Sequence, residues 1–246
     1  MRGVGVEELG HLPFVRHQLD PALVRGAWRA GDAAVVLAER RVVDGTTVAA
    51  TGFGGSDLPA LLAAVADDVD VPDRVMVTGP AEAVPARWPL AGVRRWHWML
   101  TTREPSPPSV EVVEVEDPAE VSALLDVVAP DSHARPGTPG IEAWLGIRDA
   151  GRLVATGGVL RQPDGTGHVR AVAVAQSHRG RGLGRELSRA LTRSAMGGSG
   201  VCSLGVYVDN EPALRTYRGL GYEVVHTFTS GPVTTRSSTT AVAPSR

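Results

Sequence analysis

A ten-residue stretch, HRGRGLGREL at residues 178–187, brings together three glycines and three arginines. It also begins a leucine pattern, because Leu183, Leu187 and Leu191 are four residues apart and predict one buried face of a helix. Glycines let a backbone approach a ligand closely, and the start of a helix directs N–H groups and the positive end of its dipole towards an anion. The stretch therefore predicts a phosphate-binding loop that leads into a helix.

Three known kinds of phosphate loop can be separated by their spacing. A Walker loop needs a lysine, and this chain has none, because all 25 of its basic residues are arginine. A dinucleotide-binding loop has the spacing G-x-G-x-x-G and an acidic residue about 20 positions later. Here the glycines alternate, and the later position holds Leu204. The spacing that remains is R-x-x-G-x-G, which begins at Arg179.

A second block, VCSLGVYVDNEPALRTYRGLGYEVV at residues 201–225, has the order strand, Asn210, short helix with Tyr217, and the triplet L-G-Y before a last strand. Together with R-x-x-G-x-G, this block resembles the GNAT superfamily of N-acetyltransferases, in which the first motif binds the pyrophosphate of acyl-CoA. The resemblance covers about residues 110 to 230, roughly half of the chain.

The resemblance implies an α/β (α+β) fold, the acyl-CoA N-acyltransferase fold, with a mixed and mostly antiparallel sheet flanked by helices. In that family the fourth and fifth strands separate, and acetyl-CoA, the co-substrate, lies in the gap. Asn210 would then touch the pantetheine end of the ligand. The other expected CoA contacts are the main chain of one strand and the loop after it: Val172, Ala173, Val174, Arg179, Gly180, Arg181, Gly182, Leu183 and Gly184.

The reaction of the family is acyl transfer, in which an amine attacks the thioester carbonyl and CoA leaves as a thiolate. An N–H group near Val174 would stabilise the oxyanion, and Tyr217 occupies the usual position of the acid that protonates the sulfur. The alternative for Tyr217 is a plain core tyrosine.

The general base is where the chain departs from the family pattern. Many relatives place a glutamate on the fourth strand, whereas GHVRAVAV has His168 and no carboxylate. The intrinsic pKa of His168 suits a base, although an exposed histidine at a strand end is the alternative. Asp131, His133, Glu142 or a water relay stay open as other bases.

The proline-rich run REPSPPS at residues 103–109 predicts a linker. It would separate a degenerate GNAT-like domain at residues 1–102, which lacks R-x-x-G-x-G, from a catalytic domain at residues 110–235. A second GNAT-like half of this kind resembles two-domain GNAT proteins and the glycine N-acyltransferase-like group. Residues 236–246 are small and polar and predict a frayed tail.

Composition excludes several function classes. A net charge of −2 gives no general attraction for nucleic acid, and the longest apolar stretch, residues 58–66, is too short to span a bilayer. The seven histidines show no metal-binding spacing, so no metal is expected. A single cysteine, Cys202, excludes an intrachain disulfide, and a cytoplasmic protein without membrane contact is the default.

The sequence therefore predicts an N-acetyltransferase that transfers an acetyl group from acetyl-CoA to a primary amine, by direct attack in a ternary complex. A small-molecule acceptor is ranked first, and the sequence leaves the oligomeric state open. Two alternatives stay in place: a non-catalytic acyl-CoA-binding regulatory module, and an acetyltransferase for protein N-termini or lysines.

Overall fold

The computed structural model of the chain describes residues 1–40, 45–52 and 57–234. The predicted tail at residues 236–246 lies outside them. Five α-helices are present: α1 (Pro13–Gln18), α2 (Leu58–Asp68), α3 (Pro118–Val128), α4 (Leu183–Met196) and α5 (Glu211–Gly219). The strands are β1 (Arg2–Gly3), β2 (Val24–Ala30), β3 (Ala33–Glu39), β4 (Thr46–Thr51), β5 (Arg74–Thr78), β6 (Arg94–Thr101), β7 (Val113–Glu114), β8 (Ile141–Asp149), β9 (Arg152–Arg161), β10 (Gly167–Val174), β11 (Cys202–Tyr207) and β12 (Glu223–Pro232).

All of these strands form one twelve-stranded sheet, in the order β1-β2-β3-β4-β5-β12-β6-β11-β10-β9-β8-β7. Two neighbouring pairs, β4 with β5 and β10 with β11, are parallel, and each of the two is joined by a helix, α2 or α4. The other pairs are antiparallel. The mixed, mostly antiparallel sheet flanked by helices confirms the predicted fold class.

The two halves of the chain repeat one order of elements. Strands β2, β3 and β4, helix α2 and strand β5 correspond to β8, β9, β10, α4 and β11. The last strand of each half then pairs with the other half, because β6 lies beside β11 and β12 lies beside β5. The fold therefore contains a second GNAT-like half, and its hydrogen bonds to the first run through the middle of the sheet. The division into two domains at residues 103–109 stays a prediction.

The helices cover both faces of the sheet. Helices α2 and α4 pack on one face, where Leu187 and Leu191 of α4 bury against Val169 of β10 and Leu204 of β11. Helix α3 packs on the opposite face, against Trp144 and other buried residues. Helix α1 lies on the same face as α3, since its Phe14 packs edge-on against Trp98 of β6. We call this the α1/α3 face.

The proline-rich segment 103–109 contains no helix or strand, and it is fastened to α4. Arg193 pairs with Glu104 at 2.7 Å and donates to the Pro105 carbonyl at 2.8 Å. Glu186 in the first turn of α4 is buried and accepts the Ser109 N–H at 2.7 Å. Burial opposes ionisation of Glu186, but that hydrogen bond and the nearby charge of Arg189 hold its pKa below the usual value.

Arginine recurs every four residues from Arg181 to Arg193, a spacing that by itself favours a solvated helix face for Arg189 and Arg193, and that interpretation is wrong. Arg189 and Arg193 are both partly buried, and each contacts a carboxylate. For Arg193 the spacing of charges could not show this, because Glu104 comes from outside the helix, whereas Arg189 contacts Glu186 in the same helix.

Candidate functional site

Strands β10 and β11 are paired at one end and separate at the other. Their parallel register runs from Gly167 opposite Cys202 to Val169 opposite Leu204 and then stops. Beyond that point β10 stays with β9, and β11 stays with β6 as far as Tyr207. One edge of β10 therefore has no strand partner over residues 170–174 among the described residues.

An irregularity in β10 marks the place where the strands separate. The register with β9 shifts between Arg170 and Ala173, and Ala171 has a φ of +51°. A β-bulge of this kind bends a strand and increases its twist. The bulge also changes which residues face α4, since Val172 and Val174 pack on the same cluster as Val169.

The glycine loop continues directly from this free edge. A short 3-10 helix, Gln176–His178, ends β10, and Gly180 and Gly182 follow with φ values of +77° and +80°. Gly182 is the N-cap of α4, which begins at Leu183 as predicted. The N–H groups of residues 180–184 donate to no acceptor in the described part of the chain. They form a cradle for an anion at the start of a 14-residue helix.

The two loop arginines differ in their contacts. Arg179 donates from Nε to the Val174 carbonyl at 3.2 Å, so its side chain folds back over the end of β10. Arg181 is exposed, and its charge reaches Asp149 on the neighbouring hairpin. Asp149 also binds His178 at 2.9 Å, which holds the pKa of its carboxyl below the usual value.

Tyr217 lies on the α4 side of the sheet. It is buried among Leu187, Leu191 and neighbouring residues, and its ring centroid is 5.7 Å from that of Tyr222. Burial raises the pKa of Tyr217 to about 12, although a hydrogen bond with the Ser188 side chain opposes the shift. The phenol is therefore protonated throughout the neutral range.

Asn210 caps α5, the helix that carries Tyr217. Its side-chain oxygen accepts the Ala213 N–H at 3.2 Å. The side chain is exposed, and its amide nitrogen is the group left for a ligand.

His168 is buried, so the interpretation of this residue as an exposed strand-end histidine is wrong. It lies in the paired part of β10, between β9 and β11, and its Nδ1 is 2.8 Å from the Ser203 Oγ. Burial, with the nearby charge of Arg170, lowers the pKa of His168 well below the ordinary value. The imidazole is neutral at neutral pH.

The structure brings His168 to the α1/α3 face and Tyr217 to the α4 face. His168 alternates along β10 with Val169, which packs on α4, whereas Tyr217 packs directly on α4. The two residues therefore flank the sheet from opposite sides.

The other candidates for the base are dispersed. Glu142 on β8 is held by an ion pair with Arg161 at 3.0 Å. Asp131 and His133 lie in the loop after α3. The pKa of His133 is lowered by burial and by the charges of nearby arginines, and is raised in part by Asp131.

Sequence analysis missed a group of residues on the α1/α3 face that surrounds the open end of the gap. They come from five strands, most of them distant from one another in the chain, so no local pattern could have connected them. The group consists of Arg74, Arg94, Trp96, Arg170, Tyr207 and Ser230.

Two other features, a metal-binding cluster and a membrane-spanning helix, are absent from the described residues. Residues 1–40, 45–52 and 57–234 contain no cluster of three or more histidine, cysteine or acidic side chains that could hold a metal ion. No described helix has the length and apolar composition needed to cross a membrane.

Comparison with known families gives a match to the description "Acetyltransferase (GNAT) family" over residues 94–222. Mycothiol acetyltransferase from Corynebacterium jeikeium is 46% identical over 63 residues, which are 25% of this chain and 18% of that protein. N-alpha-acetyltransferase RimI from Mycobacterium tuberculosis is 38% identical over 85 residues, which are 33% of this chain and 52% of that protein. The matched region thus spans about half of one relative and less than a fifth of the other.

Solved structures resemble the chain over nearly all of its length. A Drosophila protein superimposes with a TM-score of 0.62 at 15% identity, covering 95% of this chain and 98% of its own. An acetyltransferase from the GNAT family from Colwellia psychrerythraea gives 0.57 at 11% identity, with 95% and 99% covered. At these identities the likeness shows the fold alone.

The family match covers the elements that form the candidate site. The matched region begins with β6 and runs through the separated strands, the glycine loop and α5. It includes more than half of the 246 residues. The chain belongs to the acetyltransferase (GNAT) family.

Proposed function

We propose that the protein transfers an acetyl group from acetyl-CoA to a primary amine of a small molecule, by direct attack in a ternary complex. The observation that carries this proposal is the gap between β10 and β11, with one free strand edge and the glycine loop at its mouth. A gap of this form accepts an extended ligand that needs main-chain partners along its length and N–H donors at one end.

The residues of the gap fit the parts of acetyl-CoA in order. The free N–H groups from Gly180 to Gly184 suit the pyrophosphate, which they would bind without any lysine. Arg179 and Arg181 would add positive charge. The main chain of Val172, Ala173 and Val174 suits the amide groups of the pantetheine arm, and the amide nitrogen of Asn210 would lie on the far side of the arm.

The chemistry proposed for the side chains follows from their protonation states. Acetyl-CoA supplies an activated thioester carbonyl. An N–H group of β10 near Val174 would stabilise the oxyanion, and the protonated phenol of Tyr217 would donate to the departing sulfur. Because the imidazole of His168 is neutral, it can accept the ammonium proton, directly or through water.

Two observations favour a small acceptor. The N-terminal half extends the sheet, and its α1 packs on the α1/α3 face, where it would wall the acceptor side. The absence of a carboxylate on β10 also departs from the family pattern, so the acceptor chemistry need not follow that of the relatives. The relatives include enzymes named for mycothiol and for N-alpha-acetylation, and acetylation of a protein N-terminus is the second candidate function. We place the reaction in the cytoplasm.

The test of the proposed function is release of free CoA thiol on a broad panel of amines, with acetyl-CoA and with longer acyl-CoAs. We expect amine-dependent thiol release, and saturation in both substrates. Tight binding of acetyl-CoA without thiol release on any amine would favour the non-catalytic acyl-CoA-binding module. Release only with peptides would favour the second candidate function.

A further inference from the structure

The α1/α3 face carries an unpaired arginine beside the gap. Arg170 lies on β10 where the strands separate, it is partly buried, and its guanidinium makes no hydrogen bond or ion pair with any described residue. Burial lowers the pKa of Arg170. By contrast, Arg148 and Arg161 on the neighbouring strands are each held by a glutamate. A partly buried guanidinium without a partner is costly unless a ligand supplies one.

A second arginine faces the same region from the N-terminal half. Arg74 at the start of β5 is partly buried, and its hydrogen bond is a long one, 3.4 Å from Nη2 to the Ser230 Oγ. The same hydroxyl accepts from the Trp96 indole at 3.1 Å. Arg74 is therefore placed by a neutral hydroxyl, and its charge is not balanced by an acid within the described residues.

The far side of the gap is lined by Tyr207 and Arg94. The Arg94 guanidinium carbon lies 4.0 Å from the centre of the Tyr207 ring. In the sheet, Tyr207 is opposite Trp96 and Arg94 is opposite Ser230, so these side chains share the α1/α3 face. The gap between β10 and β11 is therefore bordered by arginine on both sides.

His133 connects the two sides of this cluster. Its pKa is lowered by burial and then by the charges of Arg74, Arg170 and Arg40, so all three guanidinium groups lie close enough to act on one imidazole. One carboxylate, Asp131, acts in the opposite direction. With Arg94, the groups named around this region are four arginines, one largely neutral histidine and one acid, and the balance is positive.

We propose that the acceptor amine also carries an anionic group, a carboxylate or a phosphate, which Arg170 and Arg74 bind on the α1/α3 face. This proposal rests on the proposed function and specifies its substrate class. Arg170 is two residues after His168 on the same strand, so an anion held by Arg170 places the amine of a compact acceptor beside His168 and the gap. Arginine suits this task, because its planar fork binds carboxylate and phosphate through two hydrogen bonds.

The experiment compares acceptors that differ only in the anion. L-leucine is paired with L-leucinamide, and O-phosphoethanolamine with ethanolamine, and kcat/KM is corrected for the fraction of free amine. We expect the anionic member of at least one pair to be preferred by about 10- to 100-fold, the value of a charge-assisted hydrogen bond. The leucine pair reports a carboxylate, and the ethanolamine pair reports a phosphate. Equal or better use of both neutral members would overturn the proposal.

Substitution of the two arginines tests where the anion of the acceptor binds. Arg170→Gln and Arg74→Gln should each reduce the preference for the anionic member by about 10-fold or more. Arg29→Gln is the matched control, because Arg29 is exposed on β2 at the distant edge of the sheet, and the preference should not change. A preference that survives both Arg170→Gln and Arg74→Gln places the anion elsewhere and contradicts the proposal.

A binding measurement separates this proposal from the proposed function. Calorimetry with the CoA-loaded protein compares N-acetyl-L-leucine with N-acetyl-L-leucinamide, and O-phosphoethanolamine with ethanolamine, none of which requires turnover. If no amine is acetylated but an anionic ligand binds more tightly, and the difference is lost in Arg170→Gln, the anion site stands and the proposed function fails. If neutral amines are acetylated and no anionic ligand binds more tightly, the proposed function stands and the anion site fails.

Discussion

Burial sets the protonation states of the two candidate catalytic residues, in opposite chemical senses. Because a buried phenol resists ionisation, Tyr217 has a pKa of about 12 and keeps its proton. Because a buried imidazole resists protonation, His168 has a pKa well below the ordinary value and keeps a free lone pair. One residue can therefore donate a proton and the other can accept one at the same neutral pH.

Replacing Tyr217 with phenylalanine should separate chemistry from binding. Tyr217→Phe removes the donor to the departing sulfur and keeps the ring that packs on α4, so we expect kcat to fall by about 10- to 100-fold. The affinity for acetyl-CoA, measured by calorimetry, should change by less than about 2-fold.

Tyr222→Phe is the matched control for this substitution. Tyr222 is also buried, and its hydroxyl bonds Cys202 and Thr192 within the core. Its loss should cost about 1 kcal/mol of stability and leave kcat unchanged. An unchanged kcat in Tyr217→Phe would remove Tyr217 from the acid role.

Some of the candidate site residues could be predicted from the sequence, and others could not. Asn210 and Tyr217 became candidates through the resemblance of residues 201–225 to the GNAT superfamily, which rests on one local block of sequence. The burial of His168 could not be predicted, since it depends on β9 and β11 pairing on both sides of β10. The cluster around Arg170 depends in addition on β5, from the other half of the chain.

The glycine loop and α4 form an element whose geometry depends on two left-handed residues. Gly182 has a φ of +80° at the N-cap of α4, and no atom lies within 4 Å of the position that a Cβ would take. The requirement is therefore one of backbone conformation and not of space. An L-residue with a Cβ pays about 1–2 kcal/mol in this conformation.

Gly182→Ala should accordingly weaken both the fold and ligand binding. We expect a loss of about 1–2 kcal/mol in the free energy of unfolding, from the left-handed φ. The Kd for acetyl-CoA should rise by about 10-fold, because the N–H groups of the loop shift out of line. Denaturant titration and calorimetry measure the two effects.

Gly219→Ala is the matched control for Gly182→Ala. Gly219 ends α5 without a left-handed φ and has open space around it, so alanine should be neutral or should stabilise the helix by up to about 1 kcal/mol. Equal effects of the two substitutions on acetyl-CoA binding would contradict the role given to the loop conformation.

The glycine loop and α4 could be predicted from the sequence, because glycine spacing and leucine periodicity are local signals. The bulge in β10 was not predictable, since Ala171 adopts a φ of +51° that alanine rarely takes. Its conformation is imposed by the separation of β10 from β11, which is a property of the sheet.

The whole molecule is one sheet in which the halves exchange their last strands. Phe228 of β12 stacks on Trp96 of β6 at 5.0 Å and packs on Phe14 of α1 at 4.7 Å, so the centre of the sheet contains side chains from both halves. Strand β6 precedes the predicted linker and is inserted among strands that follow it.

We therefore expect the two halves to unfold together. Urea titrations followed by tryptophan fluorescence, far-ultraviolet circular dichroism and acetyl-CoA binding should give one midpoint. Phe228→Ala should lower that single midpoint, with a loss of about 3–5 kcal/mol for a buried phenylalanine. Two separate transitions would show that each half folds by itself.

The repeated order of elements could be foreseen, because the N-terminal half has strands and helices of similar proportion. The exchange of β6 and β12 could not, since strand pairing between residues more than 100 positions apart leaves no periodic signal in the sequence.

We infer that the gap between β10 and β11 is the site of acetyl transfer to an amine. The direct measurement is amine-dependent release of CoA thiol, combined with mass spectrometry of the amine. We expect thiol release to rise with amine concentration and to saturate, and the amine to gain one acetyl group per thiol released. Tight acetyl-CoA binding with no amine-dependent thiol release, across small amines and peptides alike, would contradict it.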